Sequence, residues 1–157
     1  MTQFVPLTED EYEAIWRRVE SRLAFKPDYH ESRRPAITEP EPFVTYGLNS
    51  VTDEDLDGRI TDILLAAFRK LSSSEKVLYS LDWQHECYRY SPHVVDDLGP
   101  IGWFPDGDYY FQLAADLSFG TFGHPWQESL CVFGADLLEA VQEPLERHLP
   151  VIRSSRR

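Results

Sequence analysis

Apolar residues recur at helical spacing near the start of the chain. Thr8 and Glu11 stand three apart, as in a capping box, in which each side chain bonds the backbone N–H of the other residue. The residues that follow form one apolar helical face: Tyr12, Ile15, Trp16, Val19 and Leu23. We expect the helix to end before Pro27, because a proline disfavours helical backbone at the residue that precedes it.

Two later segments show the same helical spacing. In the first, Thr52 is a candidate N-cap and the next three residues are acidic, which suits the start of a helix. Its apolar face consists of Leu56, Ile60, Ile63, Leu64, Ala67, Phe68 and Leu71. The second covers residues 135–149, and we expect Pro144 to kink this helix or divide it in two.

The remaining apolar segments are short and rich in aromatic and branched residues, which is typical of strands. The predicted strands are residues 43–48, 76–83, 108–115 and 127–133, with 84–90 as an extension or a further strand. The order α-β-α-β-β-β-β-α has no regular βαβ alternation. It predicts a two-layer α+β fold, with helices packed on a mainly antiparallel sheet of four to five strands.

The length and the loops favour one domain over residues 1–157. Residues 26–42 contain four prolines among charged residues and predict a connector that lies on the surface. Residues 153–157 contain three arginines and predict a flexible basic tail.

The charge of the chain limits its partners. The formal net charge is −12, and it becomes −15 without the three arginines of residues 153–157. Such a field repels nucleic acid and anionic membranes and favours a basic partner, although it also serves simply to keep a protein in solution. The longest aliphatic run, residues 63–68, is too short to cross a bilayer, and residues 1–10 lack the apolar core of a signal peptide. We therefore expect a cytoplasmic protein, with Cys87 and Cys131 reduced and in the core.

Motifs for catalysis or cofactor binding are weak. His85 and Cys87 would share a face of a strand and could bind zinc only if further ligands, such as His124 and Cys131, lay nearby. There is no CxxC, HExxH, phosphate-binding loop or nucleophile elbow. We predict no metal site and no cofactor.

Three acids around the best-defined strand have two interpretations. Asp106 and Asp108 flank Gly107 as in a turn, and Asp116 lies at the far end of the strand that they open. The three residues fit a turn and a strand-end cap. Acid–base or cation-binding chemistry is the alternative, although spacing names no partner for them.

The run of residues 116–126, DLSFGTFGHPW, is the most distinctive stretch. Gly120, Gly123 and Pro125 predict a fixed bend. Phe119, Phe122 and Trp126 add large apolar surface, and His124 adds a titratable group. In one interpretation the rings fill the core and His124 bonds a backbone carbonyl. In the other, the run forms a wall of a cleft in which His124 and Trp126 face a ligand or partner.

Several segments of the C-terminal half resemble an uncharacterised bacterial family, a domain of unknown function found in small stand-alone proteins. The resemblance is carried by WFPDGDYY at residues 103–110, by the run at 116–126 and by SLCVFG at 129–134. LDWQ at residues 81–84 also resembles the preceding segment of that family. The resemblance implies no activity, although small acidic bacterial proteins of this type are often immunity proteins or other binding partners.

These observations favour a non-catalytic binding protein, in the form of an immunity- or antitoxin-like protein that masks a basic partner. The candidate binding residues are His124, Trp126, Phe122, Trp83, Trp103 and Asp108. The alternative is a small enzyme with an aromatic cleft around His124, in which Asp116 or Asp106 supplies acid–base chemistry. A homo-oligomer that buries the aromatic residues is a third hypothesis.

Overall fold

A computed structural model describes residues 3–28, 30–51 and 53–155. The helices are α1 (Glu9–Leu23), α2 (Glu54–Leu71) and α3 (Ala135–Glu146). The strands are β1 (Val5–Pro6), β2 (Phe43–Gly47), β3 (Leu78–Asp82), β4 (Tyr88–Tyr90), β5 (Tyr110–Ala114), β6 (Gly120–His124), β7 (Ser129–Phe133) and β8 (Val151–Ser154).

The strands form one antiparallel sheet in the order β1-β4-β3-β5-β6-β7-β2-β8. The α+β class and the antiparallel sheet are confirmed, but the prediction of four to five strands is too low, because the described residues form eight. The edge strands β1 and β8 are short and were not predicted. Pro6 interrupts the strand pattern of β1, and Arg153 interrupts that of β8. The central strand β6 carries two glycines, which predicted a bend instead.

The sheet has an apolar core on each face. Successive residues of β7 point to opposite faces, so Leu130 and Val132 pack with α2 and α3, whereas Cys131 and Phe133 pack with α1. The predicted two-layer arrangement is therefore wrong, because helices cover both faces and give three layers. The apolar stripe of α1 that the sequence predicted is what fills the second face.

The ends of the helices follow local capping chemistry. The predicted capping box is confirmed: Thr8 N donates to Glu11 Oε1 at 2.8 Å, and Glu11 N donates to Thr8 Oγ1 at 3.1 Å. The N-cap of α2 is Asp53, whose Oδ1 accepts from Leu56 N at 2.8 Å, and Thr52 itself lies outside the described residues. The last helix α3 remains a single element with Pro144 near its C-terminal end, so it is not divided.

The proline-rich connector, residues 26–42, is held against the sheet. Thr38 N donates to Leu23 O at 2.8 Å, and Ala36 and Ile37 are buried. Glu39, further along the connector, forms a bidentate ion pair with Arg153 of β8. The predicted flexible tail is thus wrong for Arg153 and Ser154, which belong to a strand, while Arg156 and Arg157 lie outside the described residues.

Across the described part of the chain, none of the helices is long and apolar enough to cross a membrane.

Candidate functional site

The glycine-rich run is a central strand. β6 pairs along its whole length with β5 and with β7, so the predicted bend is wrong. The glycines are needed here for close packing. A Cβ on Gly120 would lie 2.6 Å from the carbonyl oxygen of Gln112, and one on Gly123 would lie 2.9 Å from Pro105 Cβ.

His124 ends this strand and is almost fully buried, with 1% of its surface exposed. Its Nε2 lies 2.9 Å from Arg34 O, and its Nδ1 accepts from Gln127 N at 3.2 Å. Both contacts fit a neutral ring that carries its proton on Nε2. Burial lowers the pKa of His124, which keeps the ring neutral. The interpretation in which His124 bonds a backbone carbonyl in the core is therefore the one that this geometry supports.

Asp116, one of the acids proposed as a catalytic partner, does not face His124. Asp116 lies in the turn before β6, where its Oδ1 accepts from Ser118 N at 3.0 Å and from Ser118 Oγ at 2.6 Å. The length of β6 separates it from His124 by roughly 14 Å. The cavity beside His124 is only about 10 Å³, too small for a substrate. The geometry around His124 therefore gives no support to an enzyme site in which His124 meets Asp116.

Two of the predicted binding residues are core residues. Trp103 is 1% exposed, and its Nε1 donates to Asp57 Oδ1 at 3.0 Å. Phe122 is 4% exposed and its ring is parallel to that of Tyr109. They belong to the two different apolar cores, on opposite faces of the sheet. Neither presents a ring to a partner, because each is enclosed by the helices and loops that cover its face.

The other three predicted binding residues, Trp83, Asp108 and Trp126, do come together. They line an open cavity of about 190 Å³, which we call the Trp83–Trp126 cleft. Asp28 of the connector, Gln84, Gly107 and Tyr109 complete its lining. The cleft lies at the end of the sheet where β3 and β6 end and β5 begins, so the turns after and before these strands supply its walls.

Aromatic contacts support the wall of this cleft from behind. The ring of Trp83 packs edge-to-face on Tyr109, with centroids 5.7 Å apart, and on Phe25, with centroids 6.4 Å apart. Tyr109 in turn packs on the ring of His124 at 5.1 Å. His124 is therefore a support for the cleft rather than a part of its surface.

Beside the cleft, two carboxylates and an imidazole meet. His85 Nδ1 lies 3.0 Å from Asp82 Oδ1 and 3.1 Å from Asp108 Oδ2. The hydrogen bond to Asp82 raises the pKa of His85, and burial together with the neighbouring Asp82 raises the pKa of Asp108. We call these three residues the Asp82–His85–Asp108 cluster.

Local structure explains how the cluster forms. Asp82 ends β3, and the chain turns sharply with Gln84 at φ +71°, so that His85 N donates to Asp82 O at 3.0 Å. Asp108 lies two residues before the start of β5, and its Oδ1 accepts a hydrogen bond from Tyr109 N at 2.8 Å. Asp106 lies in the turn that was predicted around Gly107, with its side chain exposed.

The sequence suggested Cys87 as the partner of His85, and the structure does not bring these two side chains together as ligands. His85 is exposed in a turn, whereas Cys87 is buried, so the two do not share a strand face as ligands. Burial raises the pKa of Cys87 to about 11 and that of Cys131 to about 12, which keeps both as inert thiols of the core. The spacing of Asp82 and His85, three apart around a turn, was the available signal for the observed pair.

Asp28 had no such signal. It comes from the connector, where its Oδ2 accepts from Arg34 Nη2 at 3.1 Å, and no motif in the sequence relates it to Trp83 or Trp126.

Comparisons with known proteins agree with one another. The family model described as a protein of unknown function (DUF2716) matches residues 6–138. "Uncharacterized protein YxiI" of Bacillus subtilis (strain 168) is 34% identical over 154 residues, covering 90% of this chain and 93% of that protein. No solved structure matches the chain. The matched residues of the family model include the cleft and the cluster.

Proposed function

The chain belongs to the family of proteins of unknown function DUF2716, as its motifs predicted, and we propose that it is a non-catalytic binding protein for a basic partner. In this proposal a cationic side chain of the partner enters the Trp83–Trp126 cleft. An immunity- or antitoxin-like protein, which masks a basic protein, is the form of this function that we favour.

The observation that carries the proposal is the composition of the cleft. Two indole rings, Trp83 and Trp126, share one open cavity with the carboxylates of Asp28 and Asp108. Indole faces attract Lys and Arg side chains, and carboxylates bind the same groups through charged hydrogen bonds. A cavity of about 190 Å³ equals roughly six water volumes, which is enough for an ammonium or guanidinium group.

The cleft walls are held in place before any partner arrives. Trp83 is fixed by its ring contacts with Phe25 and Tyr109, and Trp126 packs partly against the same apolar core. Binding therefore requires little ordering of these side chains, which favours affinity. The net charge of −12 adds an attraction at longer range that accelerates encounter with a basic partner at low salt.

A defined peptide tests the cleft directly. We would titrate a short arginine-rich peptide into the protein at low salt and follow tryptophan fluorescence and heat, with an oligoglutamate peptide as the negative ligand. Trp126→Ala should weaken binding about 2- to 5-fold, as expected for an exposed cation–π contact of about 0.5–1 kcal/mol. Asp28→Asn should also weaken it.

The matched control is Glu139→Gln. Glu139 is exposed on α3, which covers the other core, and its replacement removes one negative charge, as Asp28→Asn does. If E139Q and D28N weaken the peptide equally, and W126A has no effect, binding follows net charge alone and the cleft is not the binding site.

A further inference from the structure

The Asp82–His85–Asp108 cluster has the composition of a metal site. Each residue offers one ligand atom, and the three atoms all lie within 4.8 Å of one another. His85 Nδ1 is close to a carboxylate oxygen on each side, at 3.0 Å from Asp82 and 3.1 Å from Asp108. The three side chains come from the end of β3, from the turn that follows it and from the loop before β5.

These separations are close to those of ligands around a small divalent ion. Zinc binds carboxylate oxygen and imidazole nitrogen at about 2.0–2.2 Å, which places neighbouring ligand atoms of a tetrahedral site about 3.3–3.6 Å apart. Calcium prefers six to eight oxygen ligands at about 2.3–2.6 Å, more than the two carboxylates of this cluster supply. The imidazole nitrogen also favours a transition ion over magnesium or calcium.

We propose that the Asp82–His85–Asp108 cluster binds one divalent transition-metal ion of the Zn²⁺ type. The two carboxylates balance its charge, and His85 supplies the nitrogen ligand from Nδ1 with the ring proton on Nε2. The ion takes the place of the proton that Nδ1 shares with the carboxylates, and that proton leaves to solvent. With three protein ligands, the ion keeps a position for water or for a group that enters the cleft.

The surrounding structure holds the ligands near this geometry. The turn through Gln84 is closed by the hydrogen bond from His85 N to Asp82 O, and Asp108 is oriented by Tyr109 N at 2.8 Å. Contacts of this kind fix ligand orientation and strengthen metal sites. Because Asp108 also lines the Trp83–Trp126 cleft, the ion would lie at the edge of that cleft and leave Asp28 and the indole rings to other groups.

The metal site is independent of the proposed binding of a basic partner, and it can be tested on the isolated protein. We would remove metal by chelation and dialysis, then titrate ZnCl₂ into the full chain by calorimetry, and record the absorption of the Co²⁺ form for nitrogen and oxygen ligation. One Zn²⁺ per chain is expected. His85→Gln and Asp108→Asn should each weaken this site at least ten-fold.

Matched variants separate this site from general affinity for metal. Asp106→Asn removes an exposed carboxylate two residues from Asp108 and should leave the Zn²⁺ affinity unchanged. Thermal unfolding of each variant without metal verifies the fold, and the exposed position of His85 makes H85Q the safer change. No saturable binding, or equal affinity in wild type, H85Q and D108N, would overturn the proposal.

Discussion

His124 Nε2 lies 2.9 Å from the carbonyl oxygen of Arg34, and this contact joins the central strand β6 to the connector. The two residues are 90 positions apart in the chain. The imidazole lies under the connector with its second nitrogen bonded to Gln127 N, so the connector is held to the sheet by a buried neutral ring. Protonation of this ring would add a charge in a buried place and would cost free energy.

The first prediction concerns the pH dependence of stability. Burial lowers the pKa of His124 in the folded state, whereas an unfolded histidine has a pKa of about 6.5. As pH falls below about 6.5, the unfolded chain therefore takes up a proton that the folded chain does not, and the contribution of His124 to stability is lost. We expect the free-energy gap between wild type and His124→Gln, measured by urea unfolding, to narrow from pH 7.5 to pH 5.5.

The control for this prediction is His30→Gln, which removes an exposed ring from the connector. An equal narrowing of the gap in H30Q would mean that the effect does not arise from the burial of His124. A gap between wild type and H124Q that widens at low pH would mean that the folded state stabilises the charged form of His124.

The helices whose apolar residues recur at regular spacing were predictable from the sequence, whereas the central strand β6 was not. The face of α1 and its capping box need only local spacing, so they could be seen directly. In β6 the glycines and the following proline predicted a turn, because their usual role is torsional freedom. Here they permit the close approach of Gln112 and Pro105, and a local sequence pattern does not reveal these contacts because they depend on how β5, β6 and the preceding loop pack.

Only part of the candidate site was predictable, because some of its residues stand in local sequence patterns and others reach it through the fold. The sequence pointed to Trp83 and Trp126 by their large rings and to Asp108 by the turn at Gly107, and the ends of the strands bring these residues together. Trp103 was chosen for its ring alone, and its burial depends on Asp57 of α2, which accepts its N–H. Asp28 reaches the cleft only because the connector folds back over the sheet, which no local spacing indicates.

The second prediction tests the tight packing of β6. Gly120→Ala would place a Cβ 2.6 Å from the backbone oxygen of Gln112, which cannot move without disturbing the β5–β6 pairing. Overpacking of this kind costs about 1–3 kcal/mol. Gly58→Ala is the matched control, since Gly58 lies in α2 with no atom within 4 Å of the added Cβ. That variant should stabilise the protein by about 0.5–1 kcal/mol in urea unfolding. Equal effects of G120A and G58A would contradict the packing described for β6.

The third prediction concerns the pair that holds β8 to the connector. Arg153 donates from Nε to Glu39 Oε1 at 2.9 Å and from Nη2 to Oε2 at 3.0 Å, and the Glu39 side chain is only 14% exposed. Arg153→Ala leaves this carboxylate without its cation and should cost about 1–3 kcal/mol. Arg153→Lys keeps the charge but loses the bidentate geometry, so its stability should lie between those of wild type and R153A.

The exposed pair of Arg147 and Glu143 provides the comparison for Arg153→Ala. Both side chains are more than half exposed and 3.2 Å apart, so Arg147→Ala should change stability by less than about 0.5 kcal/mol. Hydrogen exchange at Gly47 N, which donates to Pro150 O just before β8, should increase in R153A and not in R147A. Unchanged protection at Gly47 in R153A would show that β8 is held without the ion pair.

The last prediction concerns the natural partner of the protein. The immobilised chain should retain a basic protein from a lysate of its source organism at low salt and release it at high salt, because salt screens the attraction to a net charge of −12. The partner identified in this way is then titrated as a purified protein. Trp126→Ala should accelerate its dissociation, because the loss of a direct contact raises the dissociation rate constant. Glu139→Gln should mainly slow its association, because a charge away from the contact changes the association rate constant. A retained protein that is acidic, or one that dissociates from W126A and wild type at the same rate, would exclude the Trp83–Trp126 cleft as the contact for a basic partner.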